Sequence, residues 1–187
     1  MSVSLSETVP DIALRAPDAA AFAPYGRLIR PPAVAGRRAF YSDVLHPQPP
    51  GASPVLHVNL VQPSALPLTV TGLERHPHAA QVFIPLDVAR YVVMVAPTDA
   101  DGAPAMDRAL AFLMPGETGV IFAPDVWHMG ATVLDRPGSF TVLMYRGGPL
   151  DDDVFRSIPP VRLVLPASTP ADRPTDRPTD SAAATKV

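Results

Sequence analysis

Proline is the residue that most limits what this chain can fold into. It accounts for 25 of the 187 residues, and only Pro166, Pro170, Pro174 and Pro178 lie in the C-terminal stretch. Proline has no backbone N–H to donate, and its ring clashes with the preceding helical turn, so a helix interior excludes it. Prolines every few residues therefore rule out long helices and favour short strands joined by turns.

Apolar runs of strand length recur between these turn signals, and one short helix is predicted over Pro17–Phe22. A parallel sheet would need long crossover helices, for which the chain has no room. The spacing of the runs predicts an all-β domain, either an antiparallel β-barrel or a double-sheet jelly roll. The predicted strands are Val55–Gln62, Pro67–Leu73, Gln81–Leu86, Tyr91–Ala96, Ala109–Met114, Gly119–Ala123, Ala131–Leu134 and Phe140–Tyr145.

The bulk composition narrows the possible partners. Hydrophobic residues make up 47% of the chain, which is enough for one packed domain, and the net charge of −3 disfavours nucleic acid as a partner. The absence of cysteine excludes disulfides, thiolate ligands and a cysteine nucleophile. No apolar run is long enough to span a bilayer, and no signal peptide is recognisable. We therefore expect a cytoplasmic protein without a membrane partner.

Three segments are predicted along the chain. Residues 1–11 are expected to form a flexible N-terminus, and residues 12–165 a single β-barrel domain. Residues 166–187 contain a tandem DRPT repeat and almost no large apolar side chain. Such a segment cannot offset the entropy of ordering by burial, so we predict a disordered tail rich in Pro, Asp and Thr.

The densest group of polar residues lies in the segment LERHPHAAQVFIPL, residues 73–86. Residues two apart on a strand share a face, so Glu74 and His76 are predicted to point to the same side. A bend after His76 would let Gln81, at the start of the next strand, return to the same cavity. Much later, His128 lies on or just before another strand. Two imidazoles, a carboxylate and an amide oxygen that converge inside a barrel would suit a divalent metal with an open position.

Structural interpretations of these residues stand beside the functional ones. Neighbouring histidines are more often surface groups or members of a hydrogen-bonded pair than metal ligands. Strand alternation predicts an inward, hydrogen-bonded His57, while His46 is predicted to be exposed and Trp127 to be core. Arg146 precedes two glycines, so it suits either a clamp for a substrate carboxylate or a solvated strand-end cation. The run Asp151–Asp153 is predicted to be a solvated turn or helix cap.

The residue pattern resembles the ureidoglycolate lyases, a family of cupins. The stretch ERHPHAAQVFIPL is similar to the family signature ERHP-x3-Q-x-FIP, and the same register holds for AFAPYGRLI, VQPSALPLTVTGLERHP, YVVMVAP, RALAFLMPGETGV, VWH and YRGG. The resemblance extends from about residue 21 to residue 152 in unbroken order. It implies a cupin-type antiparallel β-barrel with one or two short helices. It also places Glu74, His76 and Gln81 where the first ligands of the general cupin motif stand, and His128 where its last histidine stands.

The resemblance also implies an activity. Members of the family split (S)-ureidoglycolate into glyoxylate and urea in allantoin degradation, a part of purine catabolism, usually as homodimers. Nickel is the metal usually suggested for them, while zinc or manganese would also suit nitrogen and oxygen ligands. A carbon–nitrogen lyase is therefore expected. Its expected catalytic residues are Glu74, His76 and His128, its expected metal ligands are Glu74, His76, Gln81 and His128, and its expected substrate contacts are Arg146, Gln81, Asn59 and Tyr145.

Several positions depart from the family pattern. Phe122 and Ala123 stand in place of a Tyr-His pair, and Met129 stands in place of a second histidine after VWH. Tyr145 replaces an acidic residue before RGG, and Leu60 replaces an arginine. Two alternatives therefore stay open, because a shared fold does not settle an activity. One is a related cupin enzyme that acts on another small carboxylate, and the other is a cupin that binds a metabolite without turning it over.

Overall fold

The computed structural model describes residues 8–166. Nearly all of the predicted tail and most of the predicted flexible N-terminus lie outside the described residues, and the predicted domain bounds stay predictions. No helix within residues 8–166 is long and apolar enough to cross a membrane.

The helical elements are α1 (Ala19–Phe22) and two 3₁₀ turns (Ser42–Leu45 and Met106–Arg108). The strands are β1 (Asp11–Arg15), β2 (Gly26–Ile29), β3 (Ser53–Val61), β4 (Leu68–Arg75), β5 (Gln81–Pro85), β6 (Arg90–Ala96), β7 (Leu110–Pro115), β8 (Gly119–Phe122), β9 (Trp127–His128), β10 (Thr132–Leu134), β11 (Gly138–Arg146) and β12 (Val154–Val164).

All the strands predicted from apolar runs are present, and their ends differ from the predicted ends by at most two residues. The predicted helix is also present, and the Asp18 side chain caps it by accepting a hydrogen bond from Ala21 N at 2.6 Å. Strands β1, β2, β9 and β12 were not among the predicted strands, although His128 of β9 was expected on or just before a strand. In β12 the apolar pattern is interrupted by Pro159 and Pro160, and its pairing with β4 shifts register around these prolines. Such a bulge accommodates residues that cannot donate a ladder hydrogen bond.

The strands form two sheets that make up a β-barrel. The larger sheet has the order β10-β6-β7-β1-β12-β4-β9, and the smaller has the order β2-β8-β5-β11-β3. Strand β9 pairs with both β4 and β6, so the larger sheet closes on itself. The predicted all-β barrel is thus confirmed. One detail differs from a purely antiparallel barrel, because β1 runs parallel to both β7 and β12.

Strand β6 buries side chains on both faces, which gives the molecule two apolar clusters. Val92 and Met94 pack with Trp127 inside the closed sheet, and the predicted core position of Trp127 is confirmed by its 1% exposure. Val93 and Val95 belong to the other cluster, which lies between the two sheets. A strand that is buried on both faces is apolar at consecutive positions, and β6 has such a sequence.

Four of the aromatic rings in the cluster between the sheets contact one another, and we call them the aromatic cluster: Phe83, Tyr91, Phe122 and Phe140. Phe83 contacts Phe122 and Phe140 edge to face, with ring centroids 6.0 and 5.9 Å apart. Tyr91 and Phe140 meet in the same way at 5.1 Å. The Phe122 ring also stacks on the ring of His128 at 4.1 Å. The polar residues predicted to form the site therefore adjoin the aromatic cluster.

Candidate metal centre

His128 lies on β9, at the point where the larger sheet closes. It pairs with Glu74 of β4 on one side and with Val95 of β6 on the other, and its side chain is 1% exposed. Its Nδ1 atom donates to the carbonyl oxygen of Val126 at 2.9 Å. A carbonyl only accepts, so the hydrogen is on Nδ1 and the Nε2 lone pair is free. Burial lowers the pKa of His128 to about 3, which keeps the imidazole neutral at ordinary pH.

His76 follows the end of β4, and its side chain is buried. Its Nδ1 atom donates to the carbonyl oxygen of Asp152 at 2.7 Å. The lone pair is therefore on Nε2, a buried atom with no hydrogen-bond partner among residues 8–166. The centroids of the His76 and His128 rings are 5.4 Å apart. The predicted bend after His76 is confirmed by the turn at Pro77 and His78.

Two oxygen atoms face the Nε2 atom of His128. The Gln81 side chain, at the start of β5, places Oε1 2.9 Å from it, while its amide nitrogen contacts Met144 Sδ at 3.6 Å. Glu74 Oε1 lies 3.6 Å from the same nitrogen. Burial is the main reason that the pKa of Glu74 lies above its ordinary value. Gln81 thus brings the smaller sheet to ligands held by the larger one.

When both imidazoles are neutral and Glu74 is ionised, Glu74, His76, Gln81 and His128, which we call the ligand cluster, present four lone-pair atoms with no hydrogen among them. The ligand atoms of Glu74, His76 and His128 lie within 4.8 Å of one another. Lone pairs crowded in this way repel one another unless a cation lies between them, and an unpartnered buried acceptor costs about 1–3 kcal/mol. Two imidazole nitrogens, one carboxylate oxygen and one amide oxygen are a ligand set for a divalent transition metal. The residues present fit such an ion.

A second set of polar contacts lies against His76 on the outer side. Arg146, at the end of β11, donates to Asp153 Oδ2, and Asp153 Oδ1 lies 3.2 Å from His76 Nδ1. The hydrogen bond from Arg146 is the main reason that the pKa of Asp153 lies below its ordinary value. Asp152 contributes its carbonyl to His76 and accepts a hydrogen bond from His78 N on Oδ1 at 2.6 Å. The segment between β11 and β12 therefore fixes the orientation of His76.

Sequence reasoning missed the part played by Asp152 and Asp153. The run of three aspartates was predicted to be a solvated turn, whereas two of them contact the ligand cluster through His76. The signal was present, since the run follows Arg146 by a few residues and metal-bound histidines usually donate their second N–H to an oxygen. Nothing in the local pattern, however, shows that this connection lies beside residue 76.

Asn59 and Tyr145 do not lie with the ligand cluster. Asn59 pairs with Phe140, four residues or roughly 13 Å along β11 from Met144, the partner of Gln81. Tyr145 lies on the face of β11 opposite to Met144, and its hydroxyl accepts a hydrogen bond from Gln48 at 2.7 Å. Their predicted substrate contacts stay predictions.

Two of the histidines outside the cluster test the strand interpretation. His57 was predicted to be inward and hydrogen-bonded, but it is exposed, because β3 is an edge strand whose inner side is not covered. His46 is exposed as predicted. Leu60, at one of the positions that depart from the family pattern, is 68% exposed on β3.

A surface groove of about 370 Å³ reaches the ligand cluster at Glu74. Gly130 forms part of its wall, and a β-carbon at that position would lie 3.7 Å from Glu74 Oε1. Phe155, which pairs with Glu74 across the strands, is 71% exposed at its rim. A small molecule in this groove would meet the carboxylate of Glu74 first.

The model of the family described as "Ureidoglycolate lyase" matches residues 10–159. The chain belongs to the ureidoglycolate lyase family. The matched range contains the ligand cluster, Arg146 and Asp153, and the resemblance expected from ERHPHAAQVFIPL is confirmed.

Several ureidoglycolate lyases are similar to this member of the family. The protein from Burkholderia cepacia is 44% identical over 100 residues, which are 53% of this chain and 54% of that protein. The protein from Burkholderia mallei strain NCTC 10229 is 35% identical over 138 residues, covering 69% of this chain and 78% of that protein. The protein from Escherichia coli O1:K1 / APEC is 39% identical over 105 residues, covering 56% and 63%. The match to the first of these spans only about half of its length.

Among solved structures, the chain is similar to RmlC from Streptococcus suis in complex with dTDP-D-xylose. The TM-score is 0.39 and the sequence identity is 11%, with 52% of this chain and 46% of that chain covered. A TM-score of this size does not assign a fold. The assignment of a barrel to this member of the ureidoglycolate lyase family is based on its strand pairing.

Proposed function

We propose that this protein splits (S)-ureidoglycolate into glyoxylate and urea, and that the ligand cluster is its active site. The observation that carries the proposal is the convergence of four lone-pair atoms beside Arg146, in a chain that belongs to the ureidoglycolate lyase family. Ureidoglycolate needs a group that polarises its hydroxyl and a cation that holds its carboxylate. Both requirements have candidates here.

The reaction is a proton transfer coupled to the loss of urea. Removal of the proton from the substrate hydroxyl lets that oxygen form a carbonyl, while the carbon–nitrogen bond breaks and the departing nitrogen takes up a proton. A divalent cation held by Glu74, His76, Gln81 and His128 would act as a Lewis acid on the hydroxyl. Glu74 is suited to carry the proton, because burial raises its pKa above the ordinary value and Glu74 lines the groove.

Arg146 is proposed to hold the substrate carboxylate. It lies on the row of β11 side chains that includes Met144, the partner of Gln81, so it faces the same space as the ligand cluster. A guanidinium offers five N–H donors in a fixed plane, which matches a carboxylate. The remaining contacts of His76 and His128 orient the ligands and leave no proton on the nitrogen atoms that face the centre.

The activity is tested by a coupled assay for glyoxylate with metal-loaded protein. We expect formation of glyoxylate by the wild-type protein and its loss in His128→Ala. His46→Ala is the matched control, because His46 is exposed and lies outside the cluster. A wild-type protein that produces no glyoxylate above background would contradict the proposed reaction.

A second candidate is a related enzyme that acts on another small carboxylate. It is favoured by the apolar Phe122, which stacks on His128 at 4.1 Å at a position where the family pattern has a tyrosine. A thermal-shift screen of small acids distinguishes the two. Greater stabilisation by another acid than by ureidoglycolate supports the second candidate, and binding without any turnover supports a metabolite-binding protein.

The metal is proposed to be nickel, by similarity to the family, although the nitrogen and oxygen ligands also suit zinc or manganese. Elemental analysis of protein purified without a histidine tag identifies it. The cytoplasmic location stays a prediction.

We further propose a homodimer that forms through β3. Every residue of β3 except Val61 is exposed, and Leu56, Val58 and Leu60 are exposed by 68%, 60% and 68%. The strand is an edge of the smaller sheet and carries no acidic or basic residue other than His57. An uncharged apolar edge of this length is a typical pairing surface, and two copies can pair it antiparallel about a twofold axis.

Light scattering coupled to size-exclusion chromatography tests the dimer. We expect twice the mass of one chain for the wild-type protein and the mass of one chain for Val58→Glu. Val34→Glu is the control, because Val34 is 63% exposed but lies away from β3. A monomeric wild-type protein would contradict the proposed dimer.

A further inference from the structure

Asp153 occupies the place on Arg146 that a ligand carboxylate would need. Its Oδ2 atom accepts one hydrogen bond from Arg146 Nη1. Two other arginine–aspartate pairs, in contrast, are two-pronged: Arg162 donates to both oxygens of Asp11, at 2.8 and 3.0 Å, and Arg90 donates to both oxygens of Asp135, at 2.8 and 2.6 Å. The single contact leaves most of the Arg146 donors for another acceptor.

The Arg146–Asp153 pair is open to solvent. The two side chains are 34% and 42% exposed, so water and small solutes reach both charges. Exposed pairs of this kind contribute little to stability, because water competes for each partner. A small carboxylate that reaches Arg146 therefore has little to overcome in replacing Asp153.

His76 does not depend on Asp153 for its orientation. Its Nδ1 hydrogen is donated to the carbonyl oxygen of Asp152 at 2.7 Å, whereas Asp153 Oδ1 is farther away at 3.2 Å. A carboxylate released from Arg146 still has this imidazole N–H within reach. Asp153 can thus change partners while the ligand cluster keeps its arrangement.

We propose that Asp153 is the resident counter-ion of Arg146 and is displaced when a small carboxylate binds, so that it sets the affinity for that carboxylate. This inference rests on the part of the proposed function in which Arg146 binds the substrate carboxylate. It makes Asp153 a competitor of the ligand, which is the opposite of a residue that holds Arg146 in place for the ligand.

The two roles predict opposite signs for Asp153→Asn, which keeps the shape of the side chain and removes its charge. As a displaced counter-ion, Asp153 weakens binding, so the variant should bind glyoxylate roughly two- to fivefold more tightly. As a positioning residue, Asp153 supports binding, so the variant should bind more weakly. The sign of the change in Kd therefore separates them.

The experiment is calorimetric titration of glyoxylate into metal-loaded wild-type protein, Asp153→Asn, Arg146→Gln and the double variant. We expect tighter binding in Asp153→Asn, weaker binding in Arg146→Gln, and little effect of Asp153→Asn once Arg146 is replaced. Asp11→Asn is the matched control, because it removes the charge of an exposed pair with Arg162 that lies outside the cluster. Thermal unfolding checks that all variants are folded.

Weaker or unchanged binding in Asp153→Asn overturns the inference, as does an equal gain in the Arg146→Gln background. The outcome is independent of turnover. If the wild-type protein is active and Asp153→Asn binds glyoxylate with unchanged affinity, the inference is wrong and the proposed lyase activity is supported. If Asp153→Asn binds glyoxylate more tightly and the wild-type protein forms no glyoxylate, the inference is supported and the proposed lyase activity is wrong.

Discussion

The aromatic cluster and the ligand cluster lie side by side between the same two sheets, but only the first is complete in itself. The rings of the aromatic cluster contact one another edge to face, and the hydroxyl of Tyr91 donates to Thr118 O at 2.5 Å. In the ligand cluster, His76 Nε2 has no partner in the described part of the chain, and His128 Nε2 faces oxygen acceptors. One region is held together by packing, and the other contains a group of side chains that could hold a metal ion. Their separate origins of stability can be tested.

The largest effect is expected from the aromatic cluster. Phe140→Ala removes a ring that is 1% exposed and contacts both Phe83 and Tyr91. We expect the free energy of unfolding to fall by about 3–5 kcal/mol, measured by urea denaturation. At temperatures where the variant is folded, it should still bind one metal ion per chain. Loss of metal binding by folded Phe140→Ala would show that the two regions are not independent.

A smaller effect is expected from acid on the metal-free protein. The pKa of His128 falls from 6.5 to about 3 on folding, so its contribution to stability is present above pH 6.5 and is lost as the pH falls toward 3. The slope that it contributes is about 1.4 kcal/mol per pH unit. Urea denaturation between pH 6.5 and 4 should therefore show a flatter pH dependence in His128→Asn than in wild type. His46→Asn, the control, should keep the wild-type slope.

A third effect is expected from adding a negative charge to the ligand cluster. Gln81→Glu adds a second carboxylate to the ligand cluster, so we expect metal affinity to rise about tenfold through attraction to the cation. Without metal, the same variant should melt at a lower temperature than wild type, because two carboxylates are then close together in a buried site. Gln48→Glu, at an exposed position, should leave metal affinity unchanged. Equal melting temperatures with and without metal in Gln81→Glu would contradict a cation at this position.

The smallest effect is expected outside both clusters. Asp18 caps α1 by accepting from Ala21 N, and Asp18→Ala should lower the free energy of unfolding by about 1 kcal/mol. Metal affinity, measured by calorimetry, should equal that of wild type. A change in affinity would mean that the ligand cluster responds to any loss of stability.

Much of the fold could be predicted from the sequence, because strands between prolines carry their pattern locally. Glu74, His76 and Gln81 could be predicted to converge, since a strand, a bend and the next strand are consecutive in the chain. His128, much later in the chain, could be placed with them only by assuming a closed barrel or through the resemblance to a family. Strand β12 was missed because Pro159 and Pro160 interrupt its pattern, and the role of Asp153 was missed because its partners are set by tertiary structure. The exposure of His57 was mispredicted because edge position is decided by sheet order, which strand alternation does not reveal.

The closure of the larger sheet has a consequence for the order in which this protein opens. The seam, where β9 joins β4 to β6, is only two residues long. Within it His128 is the residue that pairs with both Glu74 and Val95. Local opening precedes global unfolding where few backbone hydrogen bonds hold an element, and few hold this one. An ion bound by both Glu74 and His128 would connect β4 to β9 at this point. Binding of the metal would then also stabilise the closed form of the larger sheet.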